Sequence, residues 1–254
     1  MKRIRVIPVL LIHNGGLVKS IKFKNYKYIG DPINAVKIFN EKEIDEIIIN
    51  DIDATREKRP PNFKKIKEIA GEAFIPLSYG GGITTLDEIK KLLYIGVEKI
   101  ILNYIAIRNP DIVSEAANLI GSQSVVISMD VKKNFFGKYK IYSKNGSEKT
   151  NYDPIVFAKL MQNSGAGEIF LNSIDKDGTF SGYDLKLISE VSSQLTIPLI
   201  ICGGASHVTD FCKAISHGAS AVAAGSMFVF KGPHRAVLIS YPSQTELKQS
   251  LYSL

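Results

Sequence analysis

IPLSYGGGITTLDEIKKLLYIGVEKIILNYIAI at residues 75–107 and IPLIICGGASHVTDFCKAISHGASAVAAGSMFV at residues 197–229 align without a gap, 122 residues apart. Each copy reads as an apolar strand, a glycine pair, a helix with a Gly near its end and a second apolar strand ending in a small polar stretch. At the same offset Glu46-Ile-Ile-Ile-Asn matches Glu168-Ile-Phe-Leu-Asn. The repeat therefore extends over a further strand, and each half is expected to hold four strand–helix units. That predicts an α/β chain forming a single (β/α)8 TIM barrel, a domain over 1–254 built from half-barrels 1–121 and 122–254.

The length agrees, since 254 residues match the roughly 250 typical of one such barrel. With 45% apolar and 22% charged residues the chain has enough apolar side chains for a substantial core. No Gly/Pro/Ser linker divides it, and its apolar runs are strand-length, which argues against a membrane span. Met1-Lys-Arg-Ile-Arg runs straight into a strand, so no signal peptide is expected. Cys202 and Cys212 form neither a disulfide framework nor a metal-ligand pattern, as expected of a cytoplasmic protein. The net charge of +7 comes from lysines scattered over helices, such as Lys64, Lys65, Lys67, Lys90 and Lys91. This pattern argues against a nucleic-acid partner and suits a phosphorylated small molecule.

Strands are expected near 5–11, 46–51, 74–79, 98–103, 124–130, 168–173, 198–202 and 220–225. Their β-branched richness fits parallel strands covered on both faces. Helices are expected at 32–42, 61–71, 85–95, 109–119, 153–163, 183–193 and 207–217, with a terminal helix starting near 232. Pro32, Pro61, Pro110 and Pro154 lie at helix starts. The connection 13–31 is unusually long, and 132–150 reads as a hairpin with an Asn-Gly turn. Both emerge at the C-terminal face of the strands, where barrel enzymes keep their chemistry.

Gly80-Gly81-Gly82 and Gly203-Gly204 end the third and seventh strands, while Asn103-Tyr104 and Gly225-Ser226 end the fourth and eighth. Glycines let backbone N–H groups approach and converge on phosphate oxygens, so the repeat predicts two phosphate sites across one mouth. Tyr104 fills space where a smaller hydroxyl suits a phosphate better. Asp130 closes strand five in VVISMD and Asp51 closes strand two in IIIND. An acid after an apolar run at this end of a strand is a candidate for proton transfer or substrate positioning. Asp53 and Asp175 lie nearby. Asp177, Gly178 and Thr179 line the sixth-strand loop, where Asp177 either assists the chemistry or makes an Asx turn. Lys19 either meets a substrate phosphate from the first loop or is simply exposed. Laying VIPVLLIHNG over VVISMDVKKN puts Leu11 opposite Asp130, with His13 as a substitute proton donor. His207, His217 and His234 show no convergent spacing, and neither a metal nor a cofactor is expected. At the opposite mouth Arg5, Glu46, Lys99 and Glu168 begin their strands, either as solvated ends or as a closed ring of two acids and two bases.

These residues are those by which the chain resembles the cyclase subunit of imidazole glycerol phosphate synthase, over nearly its whole length. The matching stretches include GDPINAVKIFNEKEIDEIIINDIDA, YGGGI, GSQSVVISMDVK, GAGEIFLNSIDKDGTFSGYD and IICGGA. The resemblance implies a two-fold barrel working with a class I glutaminase that delivers ammonia through it. It implies Asp130 as a catalytic acid/base; Gly82, Asn103, Asp177, Gly178, Gly204, Gly225 and Ser226 as substrate-binding; and Arg5, Glu46, Lys99 and Glu168 as the ammonia gate. One departure matters. The family pattern has a second essential aspartate where this chain has Leu11, and a leucine exchanges no proton. Three readings follow. The first is a diverged subunit serving amidation of an N-acetyl sugar beside a sugar amidotransferase, the second an authentic cyclase of histidine biosynthesis, the third a non-catalytic ammonia conduit. Leu11 favours the first.

Overall fold

The computed structural model describes residues 4–253. Residues 1–3 and 254, which belong to the expected domain and begin the leader reading, lie outside the described residues.

Eight parallel strands close on themselves. They are β1 (Arg5–His13), β2 (Ile47–Asp51), β3 (Leu77–Gly80), β4 (Lys99–Leu102), β5 (Val125–Lys133), β6 (Glu168–Ser173), β7 (Leu199–Cys202) and β8 (Ala221–Ala224). Each pairs with the next, β8 returns to β1 through Arg5 and Ala221, and β5 joins β6 through Glu168 and Val126. Closure leaves no unpaired barrel edge.

Side chains alternate across each strand. On the inner face Ile7, Val9, Ile48, Ile101, Val126, Phe170, Ile200, Ala221 and Ala223 form one buried apolar cluster. The outer faces carry Val6, Leu10, Ile47, Ile49, Ile100, Ile127 and Ile169 into a second, larger cluster shared with the helices. The near-continuous apolar runs have this cause: both strand faces are covered.

The longer helices are α1 (Pro32–Asn40), α2 (Phe63–Glu72), α3 (Leu86–Tyr94), α4 (Asp111–Ile120), α5 (Pro154–Asn163), α6 (Leu185–Ser192), α7 (Val208–Ser216) and α8 (Gln244–Ser250), with short helical turns at Tyr104–Arg108 and Ser226–Val229. Asp31 and Asp153 cap α1 and α5, each accepting two backbone N–H bonds ahead of a proline in the first turn. Asn62 and Asp184 cap α2 and α6. The bounds of β3, α3 and β4 recur 122 residues later in β7, α7 and β8.

Two expectations gain detail, the long connection 13–31 and the hairpin 132–150, and two need correction, the helix near 232 and the prolines at helix starts. The long connection 13–31 folds as an antiparallel hairpin, Gly16–Ile21 against Lys24–Gly30, continuing from β1. The expected helix near 232 is instead a small hairpin, Phe230–Lys231 with Ala236–Val237, because Gly232-Pro233 turns the chain; α8 starts only at Gln244. Pro61 precedes α2, whose cap is Asn62, and Pro110 is itself the N-cap of α4. In the expected hairpin 132–150, β5 pairs with Tyr139–Ser143, and the Asn145-Gly146 turn then leads to a short third strand, Glu148–Lys149.

Candidate active site

At the N-terminal mouth the four charged residues interlock. Arg5 Nη1 donates to Glu46 at 2.6 Å and Nη2 to Glu168 at 2.7 Å, while Lys99 Nζ reaches Glu46 at 3.0 Å and Glu168 at 3.1 Å. Ser78 Oγ donates to the other oxygen of Glu46 at 2.7 Å. Burial acts to raise the Glu46 carboxyl, but Lys99, Arg5 and Ser78 outweigh it and hold the group below its ordinary range. Above this ring the bore is apolar, through Ile7, Ile48, Val126, Ile200 and Ala221 and then Val9, Ile101 and Phe170.

At the C-terminal mouth a cavity brings together Lys19, Asp51, Gly81, Gly82, Asn103, Tyr104, Asp130, Asp177 and Gly225. A smaller adjoining cleft is lined by Gly178, Gly203, Gly204, Gly225 and Ser226. Gly204 is obligatory there: its φ is +107°, and a Cβ would lie 2.2 Å from the Gly182 carbonyl oxygen. Thr179 turns inward on its own loop, with Oγ1 donating to the Lys176 carbonyl at 2.7 Å.

Asp130 ends the inward-facing row of β5. Burial pushes its carboxyl up to about 7, nearby Asp177 adds to the rise, and Asn172 opposes it. Asn103 Nδ2 donates to it at 3.3 Å and to the Ser128 carbonyl at 3.0 Å. Asp177 serves the first hairpin, accepting from Ser20 Oγ at 2.6 Å and from Phe23 N at 3.4 Å. Burial raises its carboxyl too. Lys19 is not an exposed loop residue: it is buried, and its Nζ donates to the Val9 carbonyl. Tyr104 opens the short helix Tyr104–Arg108, with Arg108 and Lys144 over its ring at 5.5 and 5.3 Å.

Two candidates are engaged elsewhere. Asp51 is gripped by Arg59 and also accepts from the N–H groups of Asp53 and Ala54. His13 Nδ1 lies 2.7 Å from Asp53 and its ring 4.8 Å from that of Tyr26; it is not among the residues lining the cavity. Leu11, by contrast, lines it. Leu11 pairs with Asn50 as Asp130 pairs with Asn172, so the two hold matching positions on β1 and β5.

The sequence reading missed Asn50, Asn172, Ser128, Lys144 and Asn145, all lining the cavity. Asn50 and Asn172 carried a signal, since each ends one of the two matched five-residue stretches, 46–50 and 168–172. Among the described residues no group of His, Cys, Asp and Glu is arranged to hold a metal ion, and no helix is long and apolar enough to cross a membrane.

The family profile described as histidine biosynthesis protein matches residues 5–234. A protein of Pseudomonas aeruginosa named "Putative imidazole glycerol phosphate synthase subunit hisF2" is 49% identical over 97% of this chain and 99% of its own length. One of Alkaliphilus metalliredigens named "Imidazole glycerol phosphate synthase subunit HisF" is 39% identical over 98% of this chain and 96% of its own length. The chain belongs to the HisF family. In this HisF-family member the match extends through every barrel strand, β1 to β8, and so covers both the charged ring and the cavity.

Proposed function

We propose that this chain is the synthase subunit of an imidazole glycerol phosphate synthase, receiving ammonia from a class I glutaminase at the N-terminal mouth and using it on a doubly phosphorylated substrate at the other. One observation carries the reading: a closed ring of paired charges leads through an apolar bore to a cavity holding a carboxyl whose proton affinity is matched to neutral pH. Asp130 is the acid/base group. Asp177 pins the hairpin that covers the cavity and presents Lys19. Loops on two sides of the mouth bind the phosphates, through Gly81, Gly82, Asn103 and Tyr104 on one side and Gly178, Thr179, Gly203, Gly204, Gly225 and Ser226 on the other. Arg5, Glu46, Lys99 and Glu168 form the gate. The recurrence of element bounds supports one domain of two half-barrels.

The relatives' names speak of imidazole glycerol phosphate synthesis and none of a sugar, so the expected diversion to sugar amidation gives way to this reading. Leu11 is the observation that favours a rival, an ammonia conduit without its own turnover.

The test is steady-state turnover of the family's doubly phosphorylated ribonucleotide by the purified chain with ammonium chloride, beside a Leu11→Asp variant. Turnover by either supports the substrate assignment. Inactivity of both, with glutaminase association intact, sinks it in favour of the conduit.

A further inference from the structure

Lys19 comes from the hairpin strand Gly16–Ile21 and is only 4% exposed. Its Nζ donates to the Val9 carbonyl and takes part in no ion pair among the described residues. The absence of a side chain at Gly225 makes room for it, since a Cβ there would sit 2.6 Å from Nζ. The amine thus lies where β8 meets β1, facing the cavity that Asp130 faces from β5, the strand opposite β1 in the ring of eight. Leu11 brings no polar atom to that side.

We propose that Lys19 is the second proton-transfer residue of this barrel, working opposite Asp130 where Leu11 offers no acid/base group. This rests on the reading of the cavity as the seat of ammonia addition. Addition of ammonia to a carbonyl carbon forms a C–N bond and moves the carbonyl π pair onto oxygen. Nitrogen is then one proton in excess and oxygen one short. The Asp130 carboxylate takes the proton from nitrogen, and the Lys19 ammonium gives one to oxygen. The pair is left as carboxylic acid and neutral amine, and solvent returns the proton from one to the other.

The electrostatics agree with these roles. Burial lowers the Lys19 ammonium to about 8 against the pull of Asp177 and Cys202, while burial lifts Asp130 to about 7. Cys202 is itself pushed up to about 12 and stays a thiol. Asp177 on the β6 loop, Cys202 on β7, Asp130 on β5, Asp51 at the end of β2, Tyr104 after β4 and Lys144 at the rim are the titratable groups that line this cavity with Lys19. Both working charge states coexist between the two values, so at fixed free ammonia the rate rises through about 7 and falls through about 8.

The experiment is the pH profile of kcat at fixed free ammonia for the whole chain, for Lys19→Met, and for Lys19→Met combined with Leu11→Asp. Thermal midpoints check that each variant folds. The expected result is a kcat loss of about 100-fold or more in Lys19→Met, with the alkaline limb gone, KM within about threefold and partial recovery in the double variant. A raised KM with kcat intact, or a surviving alkaline limb, overturns the proposal and makes Lys19 an anion-binding residue. An inert parent beside an active Leu11→Asp also overturns it while the substrate assignment stands. If both are inert the substrate assignment falls, and the proposal with it.

Discussion

Arg59 holds Asp51 with both terminal guanidinium nitrogens, at 2.9 and 3.0 Å, while the same carboxylate accepts from two backbone N–H groups of the loop between them. The clamp fixes the loop after β2 against the cavity wall. Gly82 packs on that loop, and a Cβ there would lie 2.6 Å from the Arg59 carbonyl oxygen. Asp51→Ala leaves two N–H groups without their acceptor and the Arg59 guanidinium paired with Glu57 alone. The expected cost is about 2–3 kcal/mol, below the 3–5 of a fully buried pair because the Arg59 side chain is 35% exposed. Urea denaturation measures it; a loss under 1 kcal/mol refutes the clamp.

In the ring of charges at the N-terminal mouth, Glu46→Gln leaves Arg5 and Lys99 sharing Glu168 alone. On the proposed function, glutamine-driven turnover with a glutaminase partner is expected to fall, while turnover driven by ammonium chloride keeps its parental rate. Equal loss in both assays points to a folding defect instead. The stability sign is also set. Because the Glu46 carboxyl is held low in the folded chain, its contribution is present above the unfolded value of about 4.3 and disappears as pH falls through the lower folded value.

Asp130 behaves in the opposite sense. Its folded value near 7 exceeds the unfolded value of about 3.9, so ionisation of the unfolded chain erodes stability progressively between those two pH values. Asp130→Asn is therefore expected to abolish turnover yet stabilise the protein by about 2–4 kcal/mol at pH 8, with no gain at pH 4. Thermal melts at the two pH values decide it, and an equal shift at both contradicts the raised value.

Gly178 has φ of +67°, and a Cβ there would come within 2.1 Å of the Ser20 carbonyl oxygen. Gly178→Ala must push the hairpin Gly16–Gly30 off its seat on Asp177, at a cost of about 1–3 kcal/mol. Amide exchange should accelerate across 16–30 and stay slow in the barrel strands. Unchanged exchange in the hairpin would show that it does not rest on this loop.

The barrel was legible because its signals are local and repeated: β-branched runs, glycine ends and helix caps such as Asp31 and Asp153. The charged ring was legible only as four strand-initial positions, since pairing across a barrel depends on register and closure. The hairpin 16–30 was read as a loop. Its strand Lys24–Gly30 is mostly exposed and polar, so no alternation marks it, and it is held by tertiary bonds from Asp177, Asn145 and the Arg235 carbonyl. His13 drew attention by nearness in sequence to Leu11, but the end of β1 carries it toward Asp53, away from the cavity.

The ring at the base of the barrel has a consequence for proton accounting. Its two positive and two negative charges cancel, and the bore above is lined mainly by apolar side chains up to the level of Phe170 and Ser128. An ammonium ion gains nothing there to replace its hydration, whereas the uncharged base loses little. On the proposed function the base of the barrel is a separator of conjugate forms: nitrogen crosses as the free base and its proton stays behind in bulk water. On that proposal the nucleophile reaches the upper chamber without an accompanying acid, so the proton first given to the reacting oxygen comes from a residue of the chamber, and solvent restores it afterwards.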